Sequence, residues 1–140
     1  MRNVFFTFKI FSQIVKAGGK IRLVKGAYRE NSTVGYPKRA ESTANYVKIM
    51  QYLFENSSEF TLGTHDDNMI KEAMALQKKY KRKITFAMLK GVRRNLASEI
   101  SKKYNMEIYV PFGESWVDYS FRRLKEMENS FLILRSIFQQ

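Results

Sequence analysis

At 140 residues and 44% hydrophobic, the chain has the size of one domain and enough apolar content to bury a core, so a two-domain organisation is not expected. It contains no cysteine and one histidine, His65, which excludes disulfides, Cys-ligated zinc and iron-sulfur clusters and leaves no His cluster for a metal. With 25 Lys and Arg against 13 Asp and Glu the net charge is +12, a balance that attracts nucleic acid, an anionic membrane or a phosphate-bearing ligand.

The apolar spacing predicts a helix over residues 3–17, stopped by Gly18 and Gly19, and then a strand over 20–24. That strand carries an anomaly, Arg22, inside the run Ile21-Arg22-Leu23-Val24. A strand covered on both faces reads as a near-continuous apolar run, and a guanidinium placed in one is costly to desolvate unless a negative or hydrogen-bonding group meets it. Arg22 is therefore either half of a buried ion pair or part of a site. The following Lys25-Gly26-Ala27 reads as a turn, at which Gly26 also lets backbone approach a ligand closely. Residues 29–40, with their Asn, Ser, Gly and Pro content, read as a long loop of the active-site kind.

A second helix is expected over 42–56, with Ser42 as its N-cap candidate, and a second strand over 59–63. Asp66-Asp67 start the next helix, which carries Met69, Ile70, Ala73 and Met74 at helical spacing. Thr64 and His65 either just lead into that helix or contact a group held by its free N-terminal amides. A strand over 84–89, a helix over 92–104 and a strand over 106–110 follow, and then helices over 115–127 and 131–138. On the first of these last two helices Tyr119, Arg122, Arg123 and Glu126 share one face, with Val117, Phe121 and Leu124 opposite, as any amphipathic surface helix would have them.

The basic clusters, residues 78–83 and Lys102-Lys103, fall at predicted helix ends, where cations suit the macrodipole. With no zinc-finger, RRM, KH or basic-zipper pattern, nucleic acid is not an expected partner, and a basic nucleic-acid-binding α/β domain rests on charge alone. A membrane span needs an apolar stretch of about 18 residues. Residues 4–11 are too short for one and include Lys9. Residues 1–16 lack acids in the manner of a transit peptide, yet they run into a helix the fold uses, so no targeting segment is expected. Strands alternating with helices imply right-handed parallel units, hence an α/β class with about four βα repeats. Four such repeats form either a small open sheet or half of an eight-unit barrel, which takes roughly 250 residues to close.

Several blocks, taken in order, resemble the proline dehydrogenase family of flavoenzymes. They are Arg22-Leu23-Val24-Lys25-Gly26-Ala27-Tyr28, Gly35-Tyr36-Pro37, Thr64-His65-Asp66 and Met88-Leu89-Lys90-Gly91-Val92-Arg93. The longest is Tyr109-Val110-Pro111-Phe112-Gly113-Glu114-Ser115-Trp116, closed by Arg122-Arg123-Leu124-Lys125-Glu126. Each of the strand-linked blocks begins at a predicted strand end, where β/α barrels place their chemistry. The resemblance covers about residues 14–128 and corresponds to the C-terminal half of the family's (β/α)8 barrel, from its fifth strand to its final helix.

The resemblance implies a proline dehydrogenase that oxidises L-proline to 1-pyrroline-5-carboxylate by hydride transfer to FAD, in catabolism toward glutamate, with a membrane quinone as electron acceptor. It implies that Arg22 lies beside flavin N5 as the residue most needed for catalysis, and that Lys25, Gly26, Ala27, Thr64 and His65 also bind FAD. Arg122 and Arg123 would grip the substrate carboxylate with fork-like bonds, Glu126 would orient an arginine or meet the proline amine, and Tyr109, Leu89 and Tyr28 would pack the five-membered ring. No metal is implied. The location implied is bacterial cytoplasm or the periphery of the inner membrane, or the mitochondrion, and not secretion; the segment 131–138 and the net charge suit peripheral membrane contact.

The chain departs from the family pattern at Ala87, where glutamine is usual beside the flavin, at Arg39, where lysine is common, and at Thr43, where aspartate often stands. Nothing in it resembles the family's first four strands, which carry a substrate-side lysine and aspartate, and residues 1–13 match no part of the family. The alternative expectation is a non-catalytic fragment of that barrel or one piece of a split enzyme, with a second polypeptide supplying the other half.

Overall fold

Among the described residues, alternating apolar side chains and helical apolar stripes produce four strands and four helices in strict alternation. These are α1 (Arg2–Lys16), β1 (Ile21–Val24), α2 (Arg39–Asn56), β2 (Glu59–Gly63), α3 (Asp67–Tyr80), β3 (Lys83–Leu89), α4 (Arg94–Ser101) and β4 (Asn105–Tyr109). The structure is a computed structural model and describes residues 2–24, 36, 38–110 and 112–114. The helices expected over 115–127 and 131–138, the turn Lys25-Gly26-Ala27-Tyr28 and the cluster Arg122, Arg123 and Glu126 lie outside the described residues.

The strands are parallel and form one sheet in the order β1-β2-β3-β4, the α/β arrangement that the alternation of periods implies. Ile21 pairs with Phe60, Arg22 with Thr61, Leu23 with Leu62 and Val24 with Gly63. Contacts divide the chain within β3 into two compact units, Met1–Thr85 and Phe86–Gln140.

In the first unit, the period-2 side chains Ile21, Leu23, Phe60 and Leu62 are buried with the α2 stripe Tyr46, Ile49, Met50, Leu53 and Phe54 and with Met69, Ile70 and Ala73 of α3. Phe54 meets the Phe60 ring edge-on at 4.9 Å and stacks on Tyr80 at 6.3 Å. Arg82 seals the end of α2 by donating from Nε to the Phe54 carbonyl and from Nη2 to the Glu55 carbonyl, both at 3.1 Å, where a cation also suits the helix dipole. Helix α1 closes with paired bonds, Gly19 N to the Ile14 carbonyl at 2.9 Å and Gly18 N to the Val15 carbonyl at 3.0 Å. Gly18 adopts the left-handed φ of 72° that this closure needs, and a Cβ on Gly19 would lie 2.6 Å from Ile14 Cγ2. At the opening of β2, Glu59 accepts an ion pair from Lys20 and another from Lys83 at 3.4 Å; the Lys20 hydrogen bond, then the charges of both lysines, hold the carboxyl below its ordinary range.

In the second unit, Phe86, Ala87, Met88, Val92 and Ile100 form the core, and Phe86 meets Tyr104 edge-on at 5.4 Å. The helix expected over 92–104 is shorter, Arg94–Ser101, because Gly91 and Arg93 turn left-handed (φ 83° and 52°) before it begins. Beyond it, Lys103 N and Tyr104 N both donate to the Ile100 carbonyl. Helix α2 also begins earlier than its sequence signal. Its N-cap position is Lys38, which makes no side-chain cap bond, and the expected cap Ser42 lies inside the first turn, donating its amide to the Lys38 carbonyl at 3.2 Å.

Candidate functional site

The side chain that stands out in the sequence, Arg22, occupies β1 between Ile21 and Leu23, each only 5% exposed, yet is itself exposed. The strand buries one face only. Its period of two sends Ile21 and Leu23 into the core and leaves Arg22 and the half-exposed Val24 on the other face, level with Thr61 and Gly63 of β2. Of the two alternatives the sequence leaves for Arg22, burial in the core is not what the structure has: the side chain is exposed. A guanidinium on an exposed strand face carries the charge and donors that an electron-rich or anionic ligand would meet.

The next strand of the same unit ends in a built turn. Thr64 is 6% exposed, and its Oγ1 accepts the Asp66 amide at 3.1 Å. The Asp66 carboxylate caps α3, with Oδ1 accepting from Asn68 N at 3.0 Å and Met69 N at 3.3 Å. His65 sits half-buried between them. The left-handed end of α3 at Lys81, with Lys78 and Lys79 in its last turn, completes a helix whose charges match its dipole at both ends. Asp66→Ala is expected to cost about 1 kcal/mol, because two helix amides lose their acceptor. Urea denaturation followed by circular dichroism reads this directly, and an unchanged midpoint would show that the cap contributes nothing.

Tyr46 was not singled out in the sequence, where it reads only as part of the α2 stripe. It is 4% exposed, and its hydroxyl has no hydrogen-bond partner among the described residues. Burial, and after it the Asp66 carboxylate, push its phenol upward, so that it stays protonated.

In the second unit, the candidate residues Leu89 and Tyr109 are the last residues of β3 and β4. The two strand ends are tied together by Lys90 N donating to the Tyr109 carbonyl at 2.7 Å. Leu89 is half-buried and Tyr109 is exposed, so each presents apolar surface at its strand end. Ala87, at the position where the family commonly has glutamine, is buried and has no polar side-chain group to offer.

A cation, a hydroxyl and an imidazole at neighbouring strands suit a flavin, whose reduced ring and phosphates are electron-rich; the nearby carboxylate of Asp66 is engaged with helix amides. Among the described residues no group of three or more His, Cys, Asp or Glu could hold a metal, and no helix is long and apolar enough to cross a membrane.

The family model for proline dehydrogenase matches residues 12–132, wider at both ends than the motif blocks. Proline dehydrogenase 2 of Bacillus subtilis (strain 168) is 39% identical over 110 residues, 76% of this chain and 36% of that protein. Proline dehydrogenase 1 of the same strain is 30% identical over 125 residues, 86% of the chain and 41% of that protein. Proline dehydrogenase of Deinococcus radiodurans is 33% identical over 110 residues, again 36% of that protein. The chain thus spans little more than a third of the length of the first and last of these curated relatives.

Proposed function

The chain belongs to the proline dehydrogenase family, and from that premise we propose that it furnishes the flavin-facing and substrate-gripping part of an FAD-dependent oxidation of L-proline to 1-pyrroline-5-carboxylate, with a quinone as the final electron acceptor. The observation that carries this reading is the exposed Arg22 on β1, whose partner strand β2 runs directly into the Thr64-His65-Asp66 turn of the same unit. FAD, when bound, supplies the two-electron acceptor for the hydride that leaves the ring carbon next to nitrogen.

The chain's own residues bind and orient. Arg22 offers fixed positive charge and N–H donors where negative charge develops, the form of stabilisation that contributes most when its donors need not reorganise. The Thr64 hydroxyl oxygen accepts the Asp66 amide, and its O–H remains a donor for a ligand in this reading. His65 adds a ring nitrogen beside the same helix start, and Lys25, Gly26 and Ala27 continue the cofactor contacts in this reading. In this reading Leu89, Tyr109 and Tyr28 supply the apolar surface that packs the ring of the substrate. Arg122 and Arg123 hold the substrate carboxylate, with Glu126 orienting one guanidinium or receiving the amine.

A second reading, a fragment that does not turn over alone, is favoured by the chain's span of 36% of its relatives' length. Titrating the purified full chain with FAD separates the two. Quenching of flavin fluorescence with a saturable endpoint is the expected result; a chain that takes up no FAD at any concentration up to the solubility of the protein would sink the claim that it holds the cofactor by itself.

A further inference from the structure

Tyr46 is 4% exposed, and its buried hydroxyl makes no hydrogen bond to any described residue. It lies on the stripe of α2 that also buries Ile49, Met50 and Leu53, where a phenylalanine would meet the same packing demand with no polar atom to satisfy. Buried hydroxyls in folded proteins almost always have a partner, in the protein or in ordered water, and an exception calls for a group that meets it. The neighbouring Asn45 Oδ1 is likewise buried without a partner, but successive residues of a helix do not face each other, so it is not the acceptor. The group that reaches the phenol stands on another element. Helix α2 packs against α3, and the Asp66 carboxylate at the start of α3 is close enough that its charge, after burial, holds the phenol protonated.

We propose that Tyr46 is a positioning residue for the Thr64-His65-Asp66 turn: its O–H donates to an internal water that donates in turn to the Asp66 carboxylate, tying α2 to the start of α3. An ionised carboxylate has about four acceptor sites, and the amides of Asn68 and Met69 both use Oδ1. Toward such a group a protonated phenol acts only as a donor. Since the hydroxyl makes no direct bond to it, one water is the smallest group that joins the two, and waters of this kind are ordinary parts of folded interiors. The consequence for function rests on the flavin reading above, because the turn that Asp66 anchors also carries Thr64 and His65. The tie sets the sign of a mutation. A hydroxyl buried with no partner weakens a fold, and Tyr46→Phe would then raise stability; a hydroxyl that reaches Asp66 through water makes the same change lower it.

The test compares wild type, Tyr46→Phe, Asp66→Ala and the double variant in the full 140-residue chain. Tyr46→Phe is expected to lower the urea midpoint. It is also expected to speed amide exchange at Asn68 and Met69 about threefold or more relative to other amides of the first unit, a local effect that a general loss of packing would not produce. In the Asp66→Ala background both effects of the Tyr46 change are expected to vanish. Flavin titration of Tyr46→Phe is expected to show FAD affinity about three- to tenfold weaker. The proposal is overturned if Tyr46→Phe raises the midpoint or leaves it unchanged, if exchange at the two amides is unaltered, or if the effects of the two changes simply add. It is equally overturned if a crystal structure of the full chain places a side chain, and not a water, against the Tyr46 hydroxyl. A tie that holds while FAD affinity is unchanged would count against the flavin contacts proposed above and leave the tie standing. FAD affinity that Tyr46→Phe weakens equally with and without the Asp66 carboxylate would do the reverse.

Discussion

Arg22→Ala is expected to weaken FAD binding by about 10- to 100-fold while leaving the stability of the chain within about 0.5 kcal/mol of wild type. Both halves of the expectation come from where the side chain sits. Arg22 is exposed between two buried neighbours, so its removal opens no cavity in the core. Hydrogen bonds from a guanidinium to an electron-rich group contribute about 1.5–3 kcal/mol, which is the affinity change given. Arg22→Lys separates charge from geometry, since a lysine keeps the cation and loses the planar fork. The readouts are a flavin titration and a urea curve on the same preparation. A variant with unchanged FAD affinity would remove Arg22 from the site; a large loss of stability would show that it braces the sheet.

Phe54→Ala is expected to have the largest effect on folding, about 3–5 kcal/mol. Its side chain is 0% exposed, with Phe60 edge-on at 4.9 Å and Tyr80 stacked at 6.3 Å. It thus joins α2, β2 and the end of α3 in a single cluster, and its carbonyl receives Arg82 from the opening of β3. Domains of ordinary stability hold about 5–15 kcal/mol in total, so a loss of this size removes about a fifth of it or more. In urea, with a slope of about 1–3 kcal/mol per molar, the midpoint is expected to fall by more than about 1 M. Phe54→Leu keeps most of the volume and should cost well under half as much. Equal midpoints for the alanine variant and wild type would mean that this cluster is not the centre of the first unit.

The order of elements was legible because each announces itself locally. Gly18 and Gly19 end α1 where the helical period stops, Asp66 caps α3, and the apolar runs give β2 and β3 to within a residue. The family was legible too, since the blocks from Arg22 to Trp116 keep their order and the family match spans residues 12–132. Where local signals misled, a neighbouring constraint prevailed. Ser42 looks like an N-cap, but α2 starts a turn earlier at Arg39. The apolar pattern runs on past both ends of α4, but left-handed residues at Gly91 and Arg93 delay its start.

The sequence by itself determined the alternation of strands and helices, the residues that share each face, and the family to which the chain belongs. Only the tertiary structure decided which of those faces are covered. Period two says that Arg22 and Val24 point the same way, but not that helices bury Ile21 and Leu23 and leave the other face open. Likewise nothing local in Arg82 foretells that it closes a helix 28 residues away, or in Tyr46 that its hydroxyl is buried near the cap of α3. Periodicity is a property of neighbours along the chain, whereas covering a face or sealing a helix end depends on segments that meet only when the chain has folded.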